Sequence, residues 1–229
     1  YDFKKFKYFA GHSLGEYSAL ACVGSISFED TLKILQKRGK FMQEAVPSGE
    51  GAMLAVLGMA SKELDKILEM NNKKYKCFIA NDNSNLQVVV SGLKKDINLL
   101  SDDLSNKKIK NLRLNVSAPF HCKYMKTASE KMTSFINDLN INELEKPIIS
   151  NVTANEISSP KEIKSLLISQ IEKKVRWLES VEYMINNGVK NFVEIGPGKV
   201  LSGLIKRINK NVNVRSINSV EDIKLLIND

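Results

Sequence analysis

An α/β protein built in two parts is expected on three grounds. Strand-like and helix-like segments alternate along most of the 229 residues, as they must when helices cover a sheet. Between residues 52 and 116 the order is β-α-β-β-α-β, which marks a small subdomain inserted in a larger one. A Gly-x-Ser-x-Gly pentapeptide, Gly11-His12-Ser13-Leu14-Gly15, falls between an apolar segment and a helix start. The expected architecture is a larger α/β domain with a mostly parallel sheet, made of residues 1–47 and 117–229, and a subdomain over residues 48–116.

Phe3 to Ala10 is a short aromatic and apolar segment, and Glu16 to Val23 starts a helix. Phe28 to Val46 is a second helix, with Leu32, Leu35, Phe41 and Met42 at helical spacing. Pro47-Ser48-Gly49-Glu50-Gly51 ends it. Ala52 to Leu57 then forms a strand, Ser61 to Met70 a helix capped by Ser61, and Cys77 to Ala80 a strand. Asn81 to Asn85 is a turn, Gln87 to Ser91 a strand, Leu93 to Leu104 a helix and Ile109 to Val116 a last strand. That order is the ferredoxin-like pattern. Beyond it, Met125 to Asn140 is helical, Ile148 to Val152 a strand and Pro160 to Lys173 a helix. Trp177 to Asn187 is helical, Phe192 to Ile195 a strand and Val200 to Ile208 a helix. Val214 to Ile217 is a strand and Glu221 to Ile227 the final helix.

Hydrophobic residues make up 43% and charged residues 26%, which excludes a wholly disordered chain, a collagen and a coiled coil. A domain of this size buries roughly 70% of its unfolded surface, so its core needs no disulfide or metal. Thirty-four Lys and Arg against 26 Asp and Glu leave a net charge of +8, yet only five of the basic residues are Arg. Lys and Asn are spread along the chain with no aromatic-interleaved basic stripe, so nucleic acid is not an expected partner. A basic face can still steer an acidic protein. Cys22, Cys77 and Cys122 are odd in number and lack CxxC spacing, so neither a disulfide framework nor a metal site is expected. Cys122, beside His121, reads as a buried small side chain. No apolar run reaches the roughly 18 residues of a membrane span, and no signal peptide is expected. The chain opens on Tyr1 rather than Met, which reads as a processed or cut start.

The chemistry centres on the pentapeptide. Gly-x-Ser-x-Gly after a strand and before a helix is a nucleophile elbow, which gives the larger domain an α/β-hydrolase-like character. Its two glycines let strand and helix approach around a strained Ser13. Its helix N-terminus leaves the Leu14 N–H free for a developing oxyanion. A serine needs a base, and the chain has two His. His12 lies inside the elbow and points away from Ser13, which leaves His121 in Ser117-Ala118-Pro119-Phe120-His121. Many carboxylates lie between Ser13 and His121, but none has a telling loop context, so no acid is named. Arg38 stands out where Lys dominates, and Arg can hold a carboxylate through two parallel hydrogen bonds. Spacing alone leaves a solvated helix arginine as the plainer reading of it.

These residues also carry a resemblance. Gly11-His-Ser-Leu-Gly-Glu-Tyr-Ser-Ala-Leu20, Arg38-Gly-Lys-Phe-Met-Gln-Glu-Ala45, Asn81-Asp-Asn-Ser84, Ser117-Ala-Pro-Phe-His121, Gln170 and Glu194-Ile-Gly-Pro-Gly-Lys-Val-Leu201 closely resemble the malonyl-CoA:acyl carrier protein transacylase family of bacterial-type fatty acid synthesis. The matches run in order from near residue 8 to about 208. Acyltransferase domains of polyketide synthases look similar but less close.

The resemblance implies a Ser-His dyad: Ser13 carries the malonyl ester and His121 acts as base and then acid. It implies that Arg38 clamps the malonyl carboxylate, that the Gln170 main-chain carbonyl orients His121, and that the Leu14 N–H is one oxyanion donor. It implies too that Asn81 and Asn83 line the cleft between the two parts, and Phe120 resembles the version linked to malonyl rather than methylmalonyl units. The family also begins with a strand and a Gly-Gln-Gly turn that supplies a second oxyanion donor. This sequence has no such segment, and earlier residues are expected ahead of Tyr1. Malonyl-CoA and acyl carrier protein are the implied partners of a monomer, with no cofactor and no metal, since the coenzyme A thioester is the substrate. A plastid-type organelle of a parasite or a bacterial cytoplasm is the expected location. The alternatives are a serine hydrolase with the same Ser-His pair and a non-catalytic fragment that binds carrier protein.

Overall fold

The computed structural model describes residues 5–157 and 159–227. Phe3 and Lys4, the start of the expected apolar segment, lie outside them. The strand there is β1, Phe9–Ala10, and it runs straight into the pentapeptide. Helix α1 (Leu14–Cys22) begins two residues earlier than expected, with Ser13 as its N-cap. Helix α2 (Phe28–Gln43) is capped by Ser27, which accepts the Asp30 N–H. Its buried stripe is Thr31, Ile34, Arg38 and Met42, so an arginine sits on the apolar face. Leu32, expected on that face, points to solvent.

The strands that follow form a four-stranded antiparallel sheet in the order β3-β4-β2-β5. Its elements are β2 (Gly51–Leu57), α3 (Ser61–Met70), β3 (Cys77–Ser84), β4 (Gln87–Leu93), α4 (Lys94–Asn106) and β5 (Asn111–Arg113). Alternation along β2 sends Ala52, Leu54 and Val56 into a core with Leu64, Leu68, Leu100 and Leu104 of the two helices. Met53 and Ala55 face the other way, with Ala80 and Val89, onto Leu114 and Phe120. Two expectations change here. Ser61 is the first helical residue of α3 rather than its cap, and Ala60 precedes it without a side-chain bond. Asn81 to Ser84 continue β3 as paired strand with two register shifts, leaving only Asn85 and Leu86 to turn.

The larger part follows as a 3-10 turn (Lys123–Met125), α5 (Lys126–Asn137), β6 (Ile148–Ile149), α6 (Pro160–Glu172), α7 (Trp177–Asn186), β7 (Asn191–Ile195), α8 (Val200–Ile208), β8 (Asn213–Ile217) and α9 (Val220–Ile227). Among the described residues its parallel strands form two separate pairs, β1–β6 and β7–β8, rather than one sheet. The fold is therefore α/β with mixed sheets. Helices α1, α2, α5 and α6 pack through Tyr17, Leu20, Ile34, Met132, Ile136 and Leu167. The β7–β8 pair packs through Val181, Met184, Leu204 and Val212.

Two contacts with the four-stranded sheet set up the site. Val175 donates its N–H to Ala80 O at 2.8 Å and accepts the Asp82 N–H at 2.9 Å, so it pairs with β3 outside the small sheet. At the other contact, a Cβ on Gly51 would lie 2.2 Å from Pro119 Cδ, so only glycine allows β2 to start against the loop before His121.

Candidate active site

The parallel pairing of β1 with β6 decides what meets at the site. Segments that leave the same ends of neighbouring parallel strands are brought side by side. Here they are the pentapeptide after Ala10 and Ser150-Asn151 after Ile149. Ser13 adopts φ 53° and ψ −105°, a conformation non-glycine residues rarely hold. Asn151 holds it there. Its Oδ1 accepts the Ser13 N–H at 2.7 Å, and its Nδ2 donates to Gly11 O at 2.7 Å. A Cβ on Gly11 would lie 2.0 Å from the Gly15 carbonyl carbon, whereas one on Gly15 would meet nothing within 4 Å. Close approach therefore demands glycine at Gly11 alone.

Ser13 Oγ lies 2.7 Å from His121 Nε2. His121 Nδ1 lies 2.9 Å from Gln170 O. A carbonyl can only accept, so Nδ1 carries the proton and Nε2 offers its lone pair to the serine hydroxyl. Burial, then the nearby Arg38 charge, pushes the His121 pKa down to about 3, so the ring is neutral near pH 7. His121 itself has φ 58°, a second strained position in the site. The Gly15 and Glu16 N–H groups close back on His12 and Ser13. The Leu14 N–H has no acceptor among the described residues.

Arg38 is 6% exposed. Its Nη2 donates to Ser13 Oγ and to Gln170 Oε1, both at 3.0 Å, and its guanidinium lies 5.5 Å from the centre of the Tyr17 ring. Its Nε has no partner, and no carboxylate makes a salt bridge to it among the described residues. A buried guanidinium in that state has unfilled capacity for an anion. Burial lowers its pKa.

The structure thus brings Ser13, His121, Arg38, Gln170 and Leu14 together. Asn83 stands one layer behind: its Oδ1 meets His12 Nε2 at 2.8 Å, and the His12 ring rests 5.6 Å from that of Trp177. Asn81 is buried at the Val175 seam. Phe120 lies between the core of the larger part and the small sheet, and its carbonyl accepts Ser91 Oγ–H at 2.5 Å. No His, Cys, Asp and Glu cluster able to hold a metal occurs among the described residues.

Sequence reasoning missed Asn151 and Glu16. Glu16 is wholly buried. Its Oε2 accepts Gln170 Nε2–H at 2.6 Å and the Asn151 N–H at 3.3 Å. Burial pushes its pKa up to about 7, against the pull of Gln170, Asn151 and Arg38. Glu16 follows Ser13 by three residues, which puts both on one face of α1, and that spacing was the available signal. Asn151 offered none, because its partners lie about 140 residues away.

This geometry has close relatives. The acyl transferase domain family matches residues 6–224. The chain is 44% identical over 223 residues to the malonyl CoA-acyl carrier protein transacylase of Bacillus subtilis (strain 168), covering 95% of this chain and 69% of that protein. It superposes with a TM-score of 0.94 on the acyl-carrier-protein-S-malonyltransferase of Bartonella henselae, at 41% identity over 98% of this chain and 72% of that one. A malonyl-transacylase solved in complex with a type II PKS acyl-carrier protein superposes at 0.92, with 36% identity over 97% of this chain and 73% of that one. With likeness of this extent in both sequence and structure, the chain belongs to the malonyl CoA-acyl carrier protein transacylases, within the acyl transferase family.

Proposed function

We propose that the chain moves the malonyl group from malonyl-CoA to the phosphopantetheine thiol of acyl carrier protein, through a malonyl ester on Ser13. The observation that carries this reading is Arg38: a buried guanidinium, without a carboxylate partner, 3.0 Å from the hydroxyl that His121 activates. His121 Nε2 takes the Ser13 proton as Oγ attacks the thioester carbonyl. The Leu14 N–H stabilises the oxyanion; a donor of this kind is worth about 2.7–4 kcal/mol. The carbon–sulfur bond breaks, and the coenzyme A sulfur leaves with the proton from His121. In the second half, the carrier thiol gives its proton to His121 and its sulfur attacks the ester. Ser13 Oγ leaves and regains the proton.

Arg38 pairs with the free carboxylate of the malonyl group, so acetyl-CoA leaves the guanidinium unfilled and is a poor substrate. A hydrolase would need no such clamp. Asn81 and Asn83 support the cleft wall through the Val175 seam and His12, and Phe120 shapes the acyl pocket. The reaction needs no cofactor or metal: proton transfer and oxyanion binding are met by side chains and backbone.

Residues 48–116 are read as a ferredoxin-like subdomain, supported by the β-α-β-β-α-β order and the β3-β4-β2-β5 sheet. Residues 1–47 and 117–229 are read as the α/β-hydrolase-like part, supported by the elbow at Ser13. The enzyme is read as a monomer. The bacterial sources of its relatives favour the bacterial cytoplasm over a plastid, and no helix is long and apolar enough to cross a membrane among the described residues.

The test is intact mass after brief mixing with malonyl-CoA or acetyl-CoA, without carrier protein. A gain of one malonyl group is expected, lost in Ser13→Ala and much smaller with acetyl-CoA. Arg38→Ala should slow malonylation by about tenfold or more, as loss of a charge-assisted pair implies, while sparing acetylation. Equal loss of both would remove the clamp. Release of free malonate faster than transfer to carrier protein would point to the hydrolase.

A further inference from the structure

Arg38 and His121 both depend on one residue, Gln170: His121 on its main-chain carbonyl and Arg38 on its side-chain amide, whose orientation has a cause. An amide is nearly symmetric in shape, so hydrogen bonds alone decide which end points where. Gln170 Nε2 is fixed by two acceptors, Glu16 Oε2 at 2.6 Å and Ser13 O at 3.0 Å. That leaves Oε1 facing Arg38, whose Nη2 it accepts at 3.0 Å. Reversal of the amide would set an NH2 group against the guanidinium and leave Glu16 Oε2 facing an oxygen.

We propose that Glu16 is a positioning residue for malonyl selectivity: by accepting the Gln170 amide, it turns Gln170 Oε1 toward Arg38 and so holds the guanidinium over Ser13. This rests on the malonyl-transfer reading of the site. Glu16 touches neither Ser13 Oγ nor His121; its hydrogen bonds go to Gln170 and Asn151, and its charge is also felt at Arg38. What matters is the acceptor at Oε2. Oε1 has no partner, so it can carry a proton or be replaced by an amide nitrogen while Oε2 keeps its place. The His121 partner is the main-chain carbonyl of Gln170, held by α6, so it does not turn with the amide. The acylation machinery and the acyl selectivity are therefore separable at Glu16.

The experiment compares single-turnover acylation of Ser13 by malonyl-CoA and acetyl-CoA in the wild type, Glu16→Gln and Glu16→Leu, with thermal melts of each. Glu16→Gln, which keeps an acceptor, should hold the malonyl-to-acetyl preference close to the wild type. Glu16→Leu should lower that preference by about tenfold, the worth of one charge-assisted hydrogen bond, chiefly by weaker malonyl-CoA saturation. If Glu16→Leu fails to fold, Gln170→Met takes its place, since it removes the amide but keeps the carbonyl for His121. It should lose the same preference, and adding Glu16→Leu to it, which sets leucine beside methionine, should change nothing more. Equal loss for both acyl groups, an unchanged ratio in the folded Leu variant, or additive loss in the double variant overturns the proposal. A wild type that acquires no malonyl group overturns the underlying reading as well.

Discussion

Arg38 sits near His121 with no carboxylate in salt-bridge contact among the described residues, and each changes what the other can do. Its charge is the second cause, after burial, of the low His121 pKa. A base of that kind is neutral but weak. A malonyl carboxylate on Arg38 would cancel the charge and raise the basicity of His121 when the correct substrate is present. Acetyl would not. Selectivity would then enter the chemical step as well as binding. Arg38→Leu should therefore raise the His121 pKa from about 3 toward its ordinary value of 6.5. Ring proton NMR should show no His121 titration in the free wild type between about pH 5 and 8, and an upward shift of the midpoint in the variant. An unmoved midpoint would show that burial alone holds His121 neutral. At this scale the sequence was most informative where a residue's role is written in its neighbours, as for Ser13 in its pentapeptide. It was silent on Asn151, whose side chain acts through two hydrogen bonds to a segment distant along the chain.

At the scale of elements, the elbow is a short strand and a helix forced against each other. Gly11 and Gly15 look equivalent in the sequence, where the pattern predicts close approach at both. Only Gly11 does so, because a Cβ there would lie 2.0 Å from the Gly15 backbone. Gly15 lies within α1 with open space around its Cβ position. Gly11→Ala should therefore abolish folding or strip the elbow of its geometry. Gly15→Ala should raise stability by about 0.5–1 kcal/mol, through the lower backbone entropy of alanine in a helix. Thermal melts of the two variants check this, and a stable Gly11→Ala with an intact acyl-enzyme would contradict it. The reverse failure of legibility is the Asn81-Asp82-Asn83-Ser84 run. Its chemistry is that of a turn. Pairing with β4 on one side and with Val175 on the other makes it strand. Long-range partners overrode local preference, and no local pattern announces such partners. Helices with an apolar stripe and a cap, such as α6 with Ser159 and Pro160, were legible almost to the residue.

Over the whole molecule, the four-stranded sheet bears on the chemistry at Ser13 and His121. The loop that carries His121 is built against it at three points. Gly51 meets Pro119, Ser91 Oγ donates to Phe120 O, and Phe120 packs on the face formed by Met53, Ala55, Ala80 and Val89. His121 follows within two residues of Pro119, with φ 58° and little freedom to adjust. A methyl group at Gly51 would lie 2.2 Å from Pro119 Cδ, 2.7 Å from Pro119 N and 2.8 Å from Ala118 Cα. Two of these atoms are backbone, so the loop itself must retreat. A displacement near 1 Å in a catalytic group is worth about a hundredfold in rate. Gly51→Ala should thus leave the helix-facing core of the four-stranded sheet folded, because Leu54, Val56 and their partners do not change, yet slow acylation of Ser13 by about that factor. The loss should be equal for malonyl-CoA and acetyl-CoA, because the His121 step is common to both and Arg38 is untouched. That pattern differs from the selective losses expected at Arg38 and Glu16. Single-turnover mass spectrometry beside a thermal melt separates the cases, and wild-type acylation in a folded Gly51→Ala would show that the loop holds His121 without help from the four-stranded sheet.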